Sequence, residues 1–330
     1  MALEDAPITL ATTDDPTAWA RALTSPHNVF QTWEYCSALQ HSYAQKIHLI
    51  EIRSPTSSIL CTYYERTKDG EHYDICSPYG YGGLHLSGDR SELASLSNEL
   101  VKFFKKQEYV ALFQMGQQVE ASTPNFIRPH RSSYILDISN IEETWRRMNK
   151  NYRNEVNQFR NNSSLKFVID KQLLKEPFKE LYYQTLKRVN ANSSYHFSKE
   201  TLDQILDSDV SMLAGVEDSG TIEIVDLFLC KGGHAEYFLN ASSVHGRAYA
   251  KPLIWNAAET LSDLSFSTLH LGGGVKENDS LSDFKRRFGS APIQIAVWKE
   301  VIQPKTYDKL CRQYQVKDSK SQRYFPAYWG

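Results

Sequence analysis

The sequence predicts an α/β (α+β) protein made of two similar halves. Its 330 residues correspond to about two domains of ordinary size. Helix-like and strand-like patterns alternate along the chain, and each half is predicted to contain one or more helices, several strands, a helix and a final strand. Hydrophobic residues make up 41% and charged residues 23%, so the chain can build a core and is not disordered. We therefore expect a pseudo-repeat of one α/β unit.

The first half is predicted to begin with a polar leader, residues 1–27, that contains a short helix. Two runs rich in β-forming residues, 46–53 and 58–66, flank the turn-prone segment Ser54-Pro-Thr-Ser and indicate a hairpin. The other predicted elements are a helix over 28–40, a strand leading into the glycine-rich segment 77–83, an amphipathic helix over 91–107, and strands over 109–115 and 131–138.

The second half is predicted to open with a helix over residues 141–160, because apolar residues recur there every three or four positions. The elements expected next are a strand over 165–170, helices over 174–188 and 198–208, strands over 211–216, 222–231 and 234–242, a helix over 251–264, and a strand over 268–271. A glycine turn at 272–274, a short basic helix over 281–288 and a strand over 293–300 follow. The expected domains are 1–140 and 141–304, with 305–330 as a C-terminal segment that could return to the first domain.

Charge and cysteine content exclude several classes of protein. The formal net charge is −2, so an anionic partner must meet a local basic patch, and DNA is not expected as a partner. The apolar runs are strand-sized, short of the ~20 residues of a membrane-spanning helix, so no integral membrane contact is expected. The five cysteines form no Cys-x-x-Cys pair, and the N-terminal residues are acidic. We expect no disulfide framework, no structural metal site, no signal peptide and a cytoplasmic location.

Common nucleotide-binding and hydrolase motifs do not occur in the sequence. It has no Gly-x-x-x-x-Gly-Lys-Ser/Thr loop, no Gly-x-Ser-x-Gly elbow and no His-Glu-x-x-His helix. The ten histidines are dispersed, and His234, His245 and His270 lack ligand spacing. We expect these three to be isolated surface or core side chains.

Several segments carry residues suited to chemistry, and their order along the chain is informative. Phe30-Gln-Thr-Trp-Glu-Tyr and Ser77-Pro-Tyr-Gly-Tyr-Gly-Gly lie in the first half. In the second half the basic helix is followed by segments 182–197 and 235–243, then by Leu269-His-Leu-Gly-Gly-Gly and Leu281-Ser-Asp-Phe-Lys-Arg-Arg-Phe-Gly.

In this order the segments resemble the FemAB-type aminoacyltransferases, which belong to the wider Gcn5-related N-acetyltransferase (GNAT) superfamily. The resemblance spans most of residues 28–300 and is most specific from Tyr237 to Gly289. It implies two tandem GNAT-like domains that transfer an amino acid from aminoacyl-tRNA to an amine acceptor, on a peptidoglycan precursor or a peptidyl natural product. No extended heptad run exists for the helical arm of some members, so the chain is similar to the arm-less ones.

The resemblance implies that Phe284 and Lys285 form the catalytic pair where the acceptor amine meets the ester. An ammonium group suits this position because it can stabilise the negative oxygen that develops during aminolysis. Lys285 could equally bind phosphates at the end of tRNA, and a solvated helix face is the plain alternative. The resemblance implies no cofactor and no metal, with aminoacyl-tRNA as the donor substrate.

A second set of residues is implied to bind the acceptor. The set consists of Arg188, Tyr195, Tyr237, Tyr79, Gly272 and Gly273. A guanidinium such as that of Arg188 can donate two parallel hydrogen bonds to a diphosphate. Core packing of the tyrosines and a plain tight turn at the glycines are the alternatives.

The basic helix is the predicted tRNA contact. Five cations against one acid over residues 145–160 give a locally positive surface in a nearly neutral chain. The candidates are Arg146, Arg147, Lys150 and Arg153, together with Arg286 and Arg287 of the second basic helix. An ordinary solvated surface is the alternative.

Two other functions stay open. Acyl-CoA-dependent N-acyltransferases of the same superfamily bind pyrophosphate through Arg/Gln-x-x-Gly-x-Gly/Ala, and residues 242–250 do not fit that spacing. An acyl-CoA enzyme acting on an amine or amino sugar is the second hypothesis, and a catalytically silent binding protein is the third. The sequence does not determine the transferred amino acid, the acceptor or the oligomeric state.

Overall fold

The computed structural model describes residues 6–23, 28–116, 124–274, 279–316 and 324–330, which form a mixed α/β structure. The strands are β1 (Ile8–Thr12), β2 (His48–Arg53), β3 (Ser58–Thr67), β4 (Tyr73–Cys76), β5 (His85–Ser87), β6 (Ala111–Met115), β7 (Ile127–Asp137), β8 (Leu165–Val168), β9 (Ser211–Asp218), β10 (Thr221–Lys231), β11 (His234–Ser242), β12 (Thr268–Gly273) and β13 (Ala291–Val301). The helices are α1 (Pro16–Ala22), α2 (Trp33–Tyr43), α3 (Arg90–Lys106), α4 (Ile141–Arg147), α5 (Lys150–Arg160), α6 (Lys171–Val189), α7 (Lys199–Asp207), α8 (Ala250–Asp263), α9 (Ser280–Arg286) and α10 (Pro304–Gln313). None of the helices in these ranges has the length and apolar character to cross a membrane.

The chain divides into two compact units. Unit 1 consists of Met1–His130 and Gln294–Gly330, and unit 2 consists of Arg131–Ile293. These limits differ from the expected domain boundaries at 140/141 and 304/305. The physical reason at the second limit is strand pairing, because β13 pairs antiparallel with β6 of unit 1.

Unit 1 contains an antiparallel run of β1, β2, β3 and β4, followed by the crossover helix α3. After α3, strand β6 lies parallel to β4. The predicted hairpin is confirmed as β2 and β3, and the amide of Ser54 closes the turn on the carbonyl of Ser57 at 2.8 Å. The apolar face of α3 packs on the sheet through Leu96, Leu100 and Phe104, all fully buried.

The two ends of unit 1 contain two elements that the sequence patterns did not predict, β1 and α10, and the residues after α10 contact β4. The leader contains β1, which pairs with β2. After α10, Tyr328 donates a hydrogen bond to Asp74 at 2.5 Å and the indole of Trp329 donates to the same carboxylate at 2.7 Å. Residues 324–330 are therefore tied to β4.

Unit 2 repeats the same topology. Strands β8 to β11 are antiparallel, α8 crosses over, β12 lies parallel to β11, and β7 pairs antiparallel with β12. The predicted pseudo-repeat of an α/β unit is thus confirmed. Pairing between β11 and β12 runs from His234/Thr268 to Glu236/His270, and the strands then separate as they continue to Ser242 and Gly273. We call this point of separation the fork.

The single helix predicted over residues 141–160 is wrong, because the chain breaks it at Met148. Met148 is extended with ψ of 144°, and the Asn149 side chain caps α5 by accepting from the amide of Asn151 at 2.9 Å. The amide of Asn149 donates to the carbonyl of Arg287 at 2.9 Å. The break between α4 and α5 is therefore where the end of α9 docks, which apolar periodicity alone does not reveal.

Candidate active site

Lys285 lies on α9 and points inward. Asp279 caps the start of the helix, since its carboxylate accepts from the amide of Ser282 at 2.8 Å. Lys285 is only 6% exposed, and its Nζ donates a hydrogen bond of 2.7 Å to the carbonyl oxygen of Gly273 at the end of β12. The side chain is thus not part of a solvated helix face.

The surroundings of Lys285 disfavour its charged form. Burial lowers the pKa of the ammonium group to about 8, the nearby guanidinium of Arg131 acts in the same direction, and Asp279 opposes both. The shift makes the buried charge unfavourable by about 3 kcal/mol at neutral pH. A buried lysine whose pKa is lowered this far is the kind of group found at functional sites.

The glycines at 272 and 273 form the end of β12, not the predicted turn after it. The register against β7 shifts between His270 and Gly272, so Leu271 is the extra residue of a β-bulge. Gly272 has φ of +73°, a conformation that L side chains rarely adopt. A Cβ on Gly273 would lie 2.7 Å from the carbonyl oxygen of Ser132. Both positions therefore require glycine for backbone reasons.

A buried Ser–His–Glu triad lies beside this strand end. The Oγ of Ser133 is 2.7 Å from Nε2 of His270, and Nδ1 of His270 is 2.5 Å from a carboxylate oxygen of Glu236. All three residues are buried. His270 and Glu236 are the last pair of the β11–β12 ladder, so the triad is located at the fork.

The expectation that His270 is an isolated side chain is therefore wrong. Its partners are 34 and 137 residues away in the sequence, so no local spacing connects them. Only the strand pairing of β7, β12 and β11 brings them onto one face. His245 is not isolated either, because its Nε2 is 3.0 Å from the carboxylate of Asp218. His234 contacts the hydroxyl of Thr268 through Nδ1 at 2.8 Å.

Phe284 packs against other aromatic side chains of unit 2. Its ring lies 5.3 Å from the ring of Phe288 and 5.9 Å from that of Tyr152, between ring centroids. It is partly buried against the core of unit 2. These contacts fix which face of α9 packs against the core of unit 2. Lys285 is the next residue along the helix.

Tyr237 belongs to a second polar cluster, on β10 and β11. Its hydroxyl donates to Oδ1 of Asp226 at 3.3 Å, and the side-chain amide of Asn240 donates to the same atom at 2.6 Å. A register shift leaves Phe238 as an extra residue, which brings Tyr237 and Asn240 to the same side. Asp226 is completely buried, its Oδ2 has no hydrogen-bond partner among the described residues, and burial raises its pKa to about 7.

Arg188 lies at the other end of β11. Its guanidinium donates to the carbonyl oxygen of Ser242 at 2.7 Å and to the Ser242 hydroxyl at 3.1 Å. Tyr195 is 41% exposed, and its carbonyl accepts a hydrogen bond from the Tyr182 hydroxyl. Arg188 is thus anchored to the strand, whereas the ring of Tyr195 faces outward.

Tyr79 lies in unit 1. Its amide donates to the hydroxyl of Tyr43 at 2.9 Å, and its carbonyl accepts from the hydroxyl of Tyr35 at 2.8 Å. The backbone of this segment is therefore held by α2, and the side chain is partly exposed.

The basic residues of α4 and α5 are largely engaged within unit 2. Arg146 lies 3.5 Å from Glu142 and Arg147 lies 4.0 Å from Glu143, both in i,i+4 pairs. Arg153 donates from Nη1 to three backbone carbonyls at the end of α4, at 2.6–3.2 Å.

The remaining candidates for tRNA contact differ in their surroundings. Arg286 and Arg287 both pair with Asp283, at 3.1 and 2.7 Å. Lys150 is exposed in the first turn of α5. The positive surface expected from the composition of 145–160 is thus partly neutralised by acids outside that window.

One group of side chains in unit 1 has the composition of a metal site. Ligand atoms of Asp69, Glu71 and His72 lie within 4.8 Å of one another. Asp69 already accepts from the ring of His72 at 2.7 Å and from the amides of Glu71 and His72. These contacts account for the cluster as a turn at the end of β3.

The comparisons with known proteins identify the fold. No family model and no curated protein matches the sequence significantly. Among solved structures, the chain is similar to FemX, with 12% identity, a TM-score of 0.67, and coverage of 92% of this chain and 99% of FemX. It is also similar to the C-terminal domain of a putative lysylphosphatidylglycerol synthetase from Agrobacterium fabrum, with 12% identity, a TM-score of 0.55, and coverage of 84% and 89%.

A third similar structure is a doubled GNAT protein. It is a tandem GNAT protein from the clavulanic acid biosynthesis pathway, with 10% identity, a TM-score of 0.50, and coverage of 90% of this chain and 99% of that one. At these identities the likeness shows the fold. The predicted fold of two tandem GNAT-like domains is confirmed.

Proposed function

We propose that this protein is an aminoacyltransferase that moves an amino acid from aminoacyl-tRNA to an amine acceptor and forms an amide. The observation that carries the proposal is the buried ammonium group of Lys285 at the end of β12. One structural neighbour is the C-terminal domain of a putative lysylphosphatidylglycerol synthetase, whose name specifies a product that contains an aminoacyl group, and this supports the same class.

The proposed reaction is aminolysis of an ester. The acceptor amine attacks the carbonyl carbon of the aminoacyl ester, the C–N bond forms, and the ribose oxygen leaves with the proton that the amine loses. Negative charge develops on the carbonyl oxygen in between. Lys285 has three N–H donors, and within the described part of the chain Gly273 takes one of them, so donors remain for this oxygen.

Burial makes this arrangement suitable for catalysis. A charge in a site with little water interacts more strongly with a developing oxyanion than it would at the surface. Because its pKa is about 8, Lys285 is still mainly protonated at neutral pH. The Gly272–Gly273 backbone beside it carries no side chain that would block a flat ester group.

The other residues take supporting roles in this proposal. Arg188 and Tyr195 would contact the acceptor beside β11, with Tyr237 as a further acceptor contact. Tyr79 of unit 1 stays a predicted acceptor contact. The proposed contacts to tRNA phosphates are Lys150, Arg146, Arg147 and Arg286. Arg153 and Arg287 would lie beside these four residues. No cofactor takes part in the proposed reaction.

The test is an assay with a mixture of radiolabelled aminoacyl-tRNAs and cell extract. We expect incorporation of label that ribonuclease treatment of the donor abolishes and that Lys285→Ala lowers ~10²-fold or more. Lys166→Ala, at an exposed lysine of β8, is the matched control and should behave like the unchanged protein. Tight binding of acyl-CoA in calorimetry, without transfer from any charged tRNA, would instead identify an acyl-CoA-dependent enzyme.

A further inference from the structure

Glu236 and Lys285 are connected by an unbroken series of contacts. Glu236 binds His270 at 2.5 Å, and His270 binds Ser133 at 2.7 Å. Ser133 is the ladder partner of Gly273, whose carbonyl oxygen accepts the hydrogen bond from Lys285 at 2.7 Å. The triad therefore ends at Ser133, the ladder partner of the residue that binds the amino group.

Strand register explains why the three side chains of the triad meet. Glu236 and His270 are direct partners on the parallel strands β11 and β12, so their side chains project from the same face. On β7, Ile135 is the partner of His270, and Ser133 lies two residues away on that same face. The imidazole thus spans three neighbouring strands at the fork.

The chemistry of the triad fixes its orientation. An ionised Glu236 only accepts hydrogen bonds, so Nδ1 of His270 carries the proton directed at it. Nε2 is then the ring nitrogen that meets the hydroxyl of Ser133. The hydrogen bonds are shielded from water, because the side chains of His270 and Glu236 are only 7% and 6% exposed.

We propose that the triad positions Lys285: by tying β7 to β12 across the bulge, it holds the Gly273 carbonyl where it binds the amino group. His270 is thus a positioning residue for the proposed transferase site, and this inference rests on the proposed function only for its effect on activity. Among the residues that the structure describes, the charged groups that face Lys285 are Arg131 and Asp279, and neither belongs to the triad.

The β-bulge at Leu271 explains why the end of β12 needs side-chain hydrogen bonds to hold it in place. With Gly272 at positive φ and Leu271 unpaired, the ladder between β7 and β12 is irregular immediately before Gly273. The triad supplies side-chain hydrogen bonds at the position where backbone pairing is irregular. Without it, the strand end would move and water would reach the ammonium group.

The experiment is competitive labelling of the full protein with acetic anhydride across a pH series, with mass spectrometry of the peptide that contains Lys285. In the unchanged protein we expect Lys285 to titrate well below the exposed lysines. In Ser133→Ala and in His270→Gln we expect its titration midpoint to rise by about one pH unit or more, because water relieves the desolvation. Ser133→Ala removes only a hydroxyl and leaves the Glu236–His270 pair, so it guards against a failure of His270→Gln to fold.

His234→Gln is the matched control. It removes a histidine–hydroxyl contact between β11 and β12 at the start of the same ladder, two residues before the triad. We expect it to leave the titration of Lys285 unchanged. An unchanged midpoint in folded Ser133→Ala protein, or an equal rise in His234→Gln, would overturn the positioning role.

The labelling requires no substrate, so the two proposals can fail separately. A shifted midpoint in Ser133→Ala without transfer from any charged tRNA by the unchanged protein would refute the function and keep the positioning. If transfer activity depended on Lys285 but was the same in Ser133→Ala, and the titration midpoint of Lys285 did not shift, the proposed function would stand and the positioning role would be refuted.

Discussion

Asp226 and Asn240 face each other across β10 and β11, and the Asn240 amide donates to the buried carboxyl at 2.6 Å. The hydroxyl of Tyr237 reaches the same oxygen, while Oδ2 has no hydrogen-bond partner in the described ranges. Two donors to one oxygen do not replace the water that a carboxylate loses on complete burial. The pKa of Asp226 is accordingly raised to about 7.

This raised pKa predicts the pH dependence of stability. An acid whose pKa is higher in the folded chain than in the unfolded chain favours folding while protonated, and that contribution is lost as pH rises from about 4 through 7. We expect Asp226→Asn to be up to about 4 kcal/mol more stable than the unchanged protein at pH 8 and similar to it at pH 4. Urea unfolding at both pH values measures the difference.

The control for this prediction is Asp218→Asn, also in unit 2. Hydrogen bonds from Tyr249 and His245 lower the pKa of Asp218 to about 2. The change in stability on replacement by asparagine is therefore expected to have the opposite sign to that of Asp226→Asn. This variant should lose stability at pH 8. Equal stability of Asp226→Asn and the unchanged protein at pH 8 would show that the carboxyl is not desolvated.

Lys285→Met should separate stability from activity. A lysine whose pKa is lowered to about 8 disfavours folding below that pH, and its contribution recovers only as pH rises toward 10.5. We expect the free energy of unfolding of the methionine variant at pH 7 to be about 2–3 kcal/mol higher than that of the unchanged protein, and its transfer activity to be ~10²-fold lower. Thermal and urea unfolding together with the charged-tRNA assay measure the two effects. A variant that is less stable at pH 7, or fully active, contradicts the assignment.

Most elements of the fold could be predicted from the sequence because they carry strong periodic patterns. The helix α3 and the β2–β3 hairpin are examples, since each depends on residues close in sequence. Strand β1 was missed because a five-residue strand in a polar leader becomes visible only through its pairing with β2. The break at Met148 was missed for a similar reason, since it depends on α9, more than a hundred residues later.

The candidate site was predictable only in part. Lys285 could be singled out because its flanking motif is local, and its burial agrees with a role beyond a solvated helix face. Ser133, Glu236 and Asp226 could not, because nothing within a few residues of each marks it as polar and buried. Their importance comes from strand register and from the bulges at Leu271 and Phe238.

Arg153 and Lys150 should differ in what their removal changes. Arg153 donates to the carbonyls of Trp145, Arg146 and Met148, so Arg153→Ala leaves the end of α4 without these partners. We expect a loss of about 1–3 kcal/mol in urea unfolding and little change in the salt dependence of tRNA binding. Lys150→Ala should leave stability unchanged and lower the slope of log affinity against log salt by ~0.7–0.9, as for one lost phosphate contact.

The reverse pattern would reassign the two residues. If Arg153→Ala lowered the salt slope while the protein kept its stability, its guanidinium would bind tRNA and not the helix end. Filter binding of charged tRNA at several salt concentrations provides the slope, and the urea midpoint provides the stability of the same preparations.

Gly273→Ala should disturb the site through the backbone alone. Its added Cβ would lie 2.7 Å from the carbonyl oxygen of Ser132, and that contact is relieved only if β7 and β12 move apart. We expect a loss of more than about 2 kcal/mol in urea unfolding, and labelling of Lys285 that shifts toward that of exposed lysines. Gly232→Ala is the control, because its φ of +59° is unfavourable for alanine while no atom lies within 4 Å, so a loss of only about 1–2 kcal/mol is expected. If the two variants had equal stability and Lys285 labelled identically in both, the close approach of β7 and β12 at Gly273 would not control the amino group.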